Sequence, residues 1–170
     1  IINEGFAYRL GRAFVFLYQA GRVVIGYDAR LSSPALHAAL ALGLSDGGAT
    51  VYTLKLCGTE EVYFQTLHLD CCGGIMLTAS HNPKDENGMK LVRRGALPIS
   101  LESGLRELSN YIRLNGEQLK PPADLLARIE QLKIGNDCWI EQVSERSAYI
   151  QKIIRFWDST TRKEGSASLK

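Results

Sequence analysis

Ser80, His81 and Lys90 are the residues of this chain whose types and spacing suit chemistry. They lie in the stretch Gly73-Gly74-Ile75-Met76-Leu77-Thr78-Ala79-Ser80-His81-Asn82-Pro83 and its continuation Asn87-Gly88-Met89-Lys90-Leu91-Val92. A serine hydroxyl is a poor nucleophile unaided and needs a base and a cation near it. A histidine beside it and a lysine at the far end of the same loop offer proton handling and positive charge. The apolar run Gly74 to Leu77 reads as a buried strand, which sets the polar cluster on a rigid support. Asn82-Pro83 takes the backbone out of helical geometry, and Asn87-Gly88 gives a tight turn into a second apolar run, Met89 to Val92. Ser, Asn and Pro also crowd into ordinary turns, so a bare Ser-His-Asn-Pro does not establish a site.

A second charged group follows the β-branched run Val23 to Ile25, in Gly26-Tyr27-Asp28-Ala29-Arg30. A charged pair placed there either clamps a loop or joins a site. The elements that must position both groups follow from pattern. Asn3 caps a helix with Glu4 in its first turn and Phe6, Leu10, Ala13, Phe14, Leu17 and Tyr18 at helical spacing, closed near residue 20 by Gly21. Arg22 to Tyr27 is a strand. Ser33 caps and Pro34 opens a helix that has almost no polar face and ends at Gly47-Gly48. Thr50 to Leu54 is the next strand. Thr59 caps a helix that packs through Val62, Tyr63, Phe64, Leu67 and Leu69, and His37 and His68 read as surface or boundary residues.

After the strand Met89 to Val92, Ser100 caps a helix ending at Asn115-Gly116. Pro121-Pro122 breaks the chain, a short helix spans 124–132, and Ser144 caps a last helix that runs through Trp157. Strands alternating with helices imply an α/β fold: a mainly parallel mixed sheet sandwiched by helices. Ligands in such sheets bind beyond the carboxyl ends of the strands, where Asp28 to Arg30 and Thr78 to Asn82 both lie, so the two groups are expected on one edge. The expected organisation is a domain over 1–116 with the loop 78–90, a linker and helix over 117–157, and a polar, disordered tail over 158–170.

Composition excludes several classes. Of 170 residues, 45% are hydrophobic and 22% charged, enough for a core and ordinary for a soluble chain. A net charge of +2 without a basic, aromatic-laced stripe argues against nucleic acid. The apolar stretches are interrupted well short of membrane-spanning length. Cys57, Cys71, Cys72 and Cys138 show neither metal-site spacing nor a disulfide framework, and cytoplasm is the expected compartment. The chain starts at Ile1-Ile2 without methionine, so a piece of something longer is expected.

Thr78-Ala79-Ser80-His81-Asn82-Pro83 followed by Asn87-Gly88-Met89-Lys90 resembles the phosphoserine signature of the α-D-phosphohexomutases, and Gly26-Tyr27-Asp28-Ala29-Arg30 resembles their G-x-D-x-R element. Tyr27 stands where many members have arginine. The resemblance implies that Ser80 carries a phosphoryl group and donates it to a hexose 1- or 6-phosphate. The resulting hexose 1,6-bisphosphate, also the activator, reorients and returns its other phosphate. It implies that Lys90 supplies positive charge, that His81 meets the sugar and helps proton transfer, and that Thr78, Asn82, Asp28 and Arg30 support loop and substrate. It also implies Mg²⁺, held by a phosphoserine oxygen of Ser80 and by three aspartates of a D-G-D-x-D motif that this sequence does not contain. The remaining domains of a longer enzyme are then the partners, with neither nucleic acid nor membrane. Gly58 to Phe64 and Gly95 to Ser100 look most like the bacterial phosphomannomutases, which interconvert mannose 6-phosphate and mannose 1-phosphate on the way to GDP-mannose. The alternatives are a phosphoglucomutase-type enzyme and an inactive truncated fragment that binds a phosphosugar or a partner.

Overall fold

The structure, a computed structural model, describes residues 2–132, 140–143 and 146–165. Asn3 accepts the Phe6 amide at 2.8 Å and starts α1 (Glu4–Tyr18), as its cap-and-acid pattern implies. The helix ends on Gln19, at φ 45°, rather than on Gly21. β1 (Arg22–Tyr27) follows, then α2 (Ser33–Asp46), most of whose residues are buried. Ser32 rather than Ser33 holds the cap position of α2. The Ser33 hydroxyl instead donates to Asp28 Oδ1 at 2.9 Å, because a carboxylate is a stronger acceptor than anything in the helix's first turn.

β2 (Thr50–Leu56) runs longer than its apolar pattern, with a register shift against Ile25 and Gly26. α3 (Thr59–His68) takes Gly58 as its cap, with Thr59 already inside. Its buried face is Glu61, Val62, Gln65 and Thr66; Val62 packs as expected with Tyr63 and Leu69 against its cluster, but Leu67 is 54% exposed. Two of the polar groups there have partners: Thr66 donates to the Val62 carbonyl at 2.7 Å, and Glu61 meets Arg146 at 3.0 Å, whereas Gln65 Oε1 is buried without a hydrogen-bond partner among the described residues.

β3 (Gly73–Leu77), β4 (Met89–Arg93) and the short β5 (Leu97–Pro98) complete one edge of a six-stranded sheet ordered β5-β4-β3-β1-β2-β6. β3, β1, β2 and β6 are parallel, and β4 and β5 are antiparallel additions. Ser100 caps a wide turn, Leu101–Leu105, kinked at Gly104, before α4 (Arg106–Leu114). The single helix expected from Ser100 onward is therefore interrupted. α1 and α2 cover one face of the sheet in a core with Val23, Ile25, Val51, Ile75 and Leu77, and Val62 of α3 packs with Val24, Leu54 and Met76 on the other.

α5 (Leu125–Gln131) packs on α1 and α2 through Leu125, which meets Tyr8 and Leu42. β6 (Ile140–Gln142) pairs in parallel with β2, so the stretch expected to be only linker and helix, 117–157, also supplies a strand. α6 (Ser147–Gly165) carries helix into the stretch expected to be disordered. Ser144, the expected cap, lies outside the described residues, as do Cys138 and the end of the tail.

His37 overturns its sequence reading. It is 2% exposed, with Nε2 2.8 Å from Thr53 Oγ1 and its ring edge-on to Tyr27 at 4.9 Å. Burial, with a smaller contribution from the charge of Lys55, holds its pKa down at about 3.

Candidate functional site

The carboxyl ends of β1 and β3 lie side by side, Tyr27 opposite Leu77, and the Asp28 amide bonds the Leu77 carbonyl at 3.0 Å. The two sequence groups therefore meet at one edge. β3 and β4 form a hairpin whose last rung is Leu77 with Met89, and the loop between them is closed by Thr78 N–H bonding the Gly88 carbonyl at 2.9 Å.

Within that loop Ser80 is exposed and sits at φ 56°, a left-handed backbone that costs a non-glycine residue about 1–3 kcal/mol. Both of its backbone polar groups are held by side chains. Its N–H donates to Thr78 Oγ1 at 2.9 Å, and its carbonyl accepts from Arg30 Nη2 at 3.1 Å. Arg30 uses every donor of its fork. Nε meets Asp28 Oδ2 at 3.0 Å, Nη2 also reaches the Asn82 carbonyl at 3.0 Å, and Nη1 reaches the carbonyls of Glu86, at 2.9 Å, and Pro83. One guanidinium thus grips four carbonyls of the loop, and a charged donor makes each bond stronger than a neutral one.

Asp28 is the seat of that grip. Burial pushes its carboxyl up, but hydrogen bonds from Thr78, Ser33 and Arg30 outweigh burial and hold its pKa below the usual carboxylate value. Asn82 joins the loop to itself: its amide N–H bonds the Ala79 carbonyl at 3.0 Å and its side chain donates to Glu86 Oε2 at 2.8 Å. Asn87, read in the sequence only as a turn residue, donates from Nδ2 to the hydroxyls of Ser32 and Ser33, each at 2.9 Å, and accepts the Gly88 amide on Oδ1 at 2.8 Å.

His81 is exposed on the same loop, and Lys90 is exposed one rung inside β4, opposite Met76, so it stands on a strand rather than in the loop proper. An open cleft of about 640 Å³ between the β1–α2 connection and the loop is lined by Asp28, Ala29, Arg30, Leu31, Asn82 and Lys84, and does not include Ser80, His81 or Lys90. The arrangement presents an exposed serine whose backbone is fixed at both polar groups, with an exposed histidine next to it in the chain and an exposed lysine on β4. That is what a covalent phosphoryl carrier requires.

The family model described as phosphoglucomutase/phosphomannomutase, alpha/beta/alpha domain I, matches residues 1–117. The chain belongs to the phosphoglucomutase/phosphomannomutase family. This phosphohexomutase-family chain is 51% identical over 123 residues to a phosphomannomutase of Klebsiella pneumoniae, covering 72% of this chain and 76% of the relative. It is 42% identical over 162 residues to a protein of Xanthomonas campestris pv. campestris (strain B100) named phosphohexose mutases, covering 95% of this chain and 33% of that one. A solved structure of a phosphoglucomutase/phosphomannomutase family protein from Burkholderia thailandensis is 32% identical with a TM-score of 0.59, over 68% of this chain and 27% of that one. The chain thus spans about three quarters of the first relative and about a third or less of the other two.

Among the described residues, no group of three His, Cys, Asp or Glu side chains could hold a metal ion. The loop's own candidate donor is the oxygen of Ser80. These residues do not by themselves make up the octahedral oxygen shell that Mg²⁺ prefers.

Proposed function

We propose that this chain is the phosphoserine-bearing part of a phosphomannomutase, with domain I over 1–116 and its reactive loop at 78–90. Ser80 Oγ accepts a phosphoryl group when it gives up its proton and bonds phosphorus, the bond from phosphorus to the sugar oxygen breaks, and that oxygen takes up a proton in exchange. Run in reverse onto a mannose 1- or 6-phosphate, the same step forms mannose 1,6-bisphosphate. Transfer of the other phosphate back to Ser80 then completes the interconversion. Lys90 offsets charge on the phosphoryl oxygens and His81 serves proton traffic at the sugar hydroxyl.

The observation that carries this reading is Ser80 itself: exposed, held at φ 56°, with both backbone polar groups fixed by Thr78 and Arg30. The name of the Klebsiella pneumoniae relative, phosphomannomutase, favours mannose as the sugar. The proposed compartment is the cytoplasm, where thiols such as Cys57, Cys71 and Cys72 stay reduced. The Mg²⁺ of the proposed parent enzyme requires donors beyond the described residues.

The test is intact mass and peptide mapping after incubation with mannose 1,6-bisphosphate or glucose 1,6-bisphosphate. We expect one phosphate on Ser80, none on Ser80→Ala, and no measurable mutase turnover by the chain alone. A folded chain whose Ser80 stays unmodified with both donors overturns the reading.

A further inference from the structure

We propose that Asn87 is a positioning residue for Ser80, fixing the direction of a closed ring of hydrogen bonds that pins the reactive loop to the β1–α2 connection. The Gly88 amide can only donate, so it claims Asn87 Oδ1 and turns Nδ2 toward the serines. Nδ2 has no lone pair to offer, so the Ser32 and Ser33 hydroxyls must both accept from it. The Ser33 proton is then directed to Asp28 Oδ1, 2.9 Å away. Asp28 Oδ2 in turn holds Arg30 Nε at 3.0 Å, and Arg30 returns to the loop through the carbonyls of residues 80, 82, 83 and 86. The ring leaves the loop at Asn87 and re-enters it along Ser80 to Glu86, so the loop is tied to residues 28–33 from both directions. Arg30 holds the loop's backbone carbonyls, and Asn87 adds the side-chain tie at the end that leads into β4.

The asymmetry of the amide makes the inference testable. Asn87→Asp keeps the shape but has no N–H to give. Its carboxylate would compete with Asp28 for the single Ser33 proton, reversing one bond of the ring and leaving another without a donor. The part of the experiment that reads phosphoryl transfer rests on the function proposed above; the part that reads loop opening does not.

Hydrogen exchange across 78–88 and phosphate incorporation at Ser80 from a hexose 1,6-bisphosphate are to be measured for the unmodified chain, Asn87→Asp, Asn87→Ala, Ser33→Ala and the Asn87→Ala/Ser33→Ala pair. We expect roughly tenfold faster loop exchange and roughly tenfold slower phosphorylation in each single variant, with peptides from α1 and β2 unchanged. The pair should be no worse than its worse member, because both act through one ring. Unmodified loop exchange in Asn87→Asp, or effects that multiply in the pair, would overturn the inference. A loop that opens as expected in a protein whose unmodified Ser80 takes no phosphate would sink the proposed function and leave the positioning role standing.

Discussion

At the scale of single residues, the site is organised by a guanidinium rather than by the hydroxyl it presents. Arg30 satisfies four loop carbonyls and Asp28 at once, a pattern that needs a planar fork with five donors. Arg30→Lys keeps the charge but cannot reach all of them. We expect phosphate incorporation at Ser80 to fall about 100-fold and stability to drop by about 2 kcal/mol, measured by peptide mapping and urea unfolding respectively. His37 makes a separate expectation about pH. Its folded pKa of about 3 lies below the ordinary 6.5, so from pH 6.5 downward the unfolded chain binds a proton that the folded chain refuses. Stability therefore falls as pH drops through that window, by about 2 kcal/mol between pH 6.5 and 5 from this residue. Urea midpoints should show that slope, and His37→Gln should flatten it even though it starts from lower stability at pH 7.

At the scale of elements, the tightest constraint is the crossing of α1 and α2, where two glycines let the backbones touch. A Cβ on Gly43 would press into the Tyr8 carbonyl, and one on Gly11 would stand 2.7 Å from the Leu44 amide nitrogen. Gly43→Ala should cost about 3 kcal/mol in urea unfolding, whereas most surface glycine substitutions would cost far less. Much of this architecture could be read from the residues. The runs Val23 to Ile25 and Gly74 to Leu77 announce central strands, and Asp28 and Ser80 each follow one, so their meeting at one edge was deducible from topology. Other parts were hidden for physical reasons. Ile140-Glu141-Gln142 has no strand pattern of its own and becomes β6 only by pairing with the edge of β2. His37 looked like a boundary residue because its partner, Thr53, lies on a strand that pattern alone cannot bring near it. Asn87 was legible as a turn residue, but its amide contacts with Ser32 and Ser33 depend on a tertiary approach across more than fifty residues.

At the scale of the molecule, Arg146 is a buried-charge tie between the chain after β6 and the rest of the fold. Arg146 forms an ion pair with Glu61, whose side chain is 6% exposed, and donates to the carbonyls of Leu54 and Leu56. Arg146→Met strands a buried carboxylate and should cost about 3 kcal/mol, while Glu61→Leu together with Arg146→Met should recover most of that loss in the same urea titration. A double variant as unstable as Arg146→Met alone would show that packing of α6, not charge, is at stake. The long reach of Arg30 to Ser80, 50 residues along the chain, also bears on biosynthesis. On the ribosome, Asp28 to Ser33 are made before α3, and β3, which pairs with β1, is made immediately before the loop. The receptor for the reactive hairpin is therefore complete in the nascent chain when Ser80 emerges, so the left-handed serine can be captured by waiting donors instead of having to find that backbone on its own.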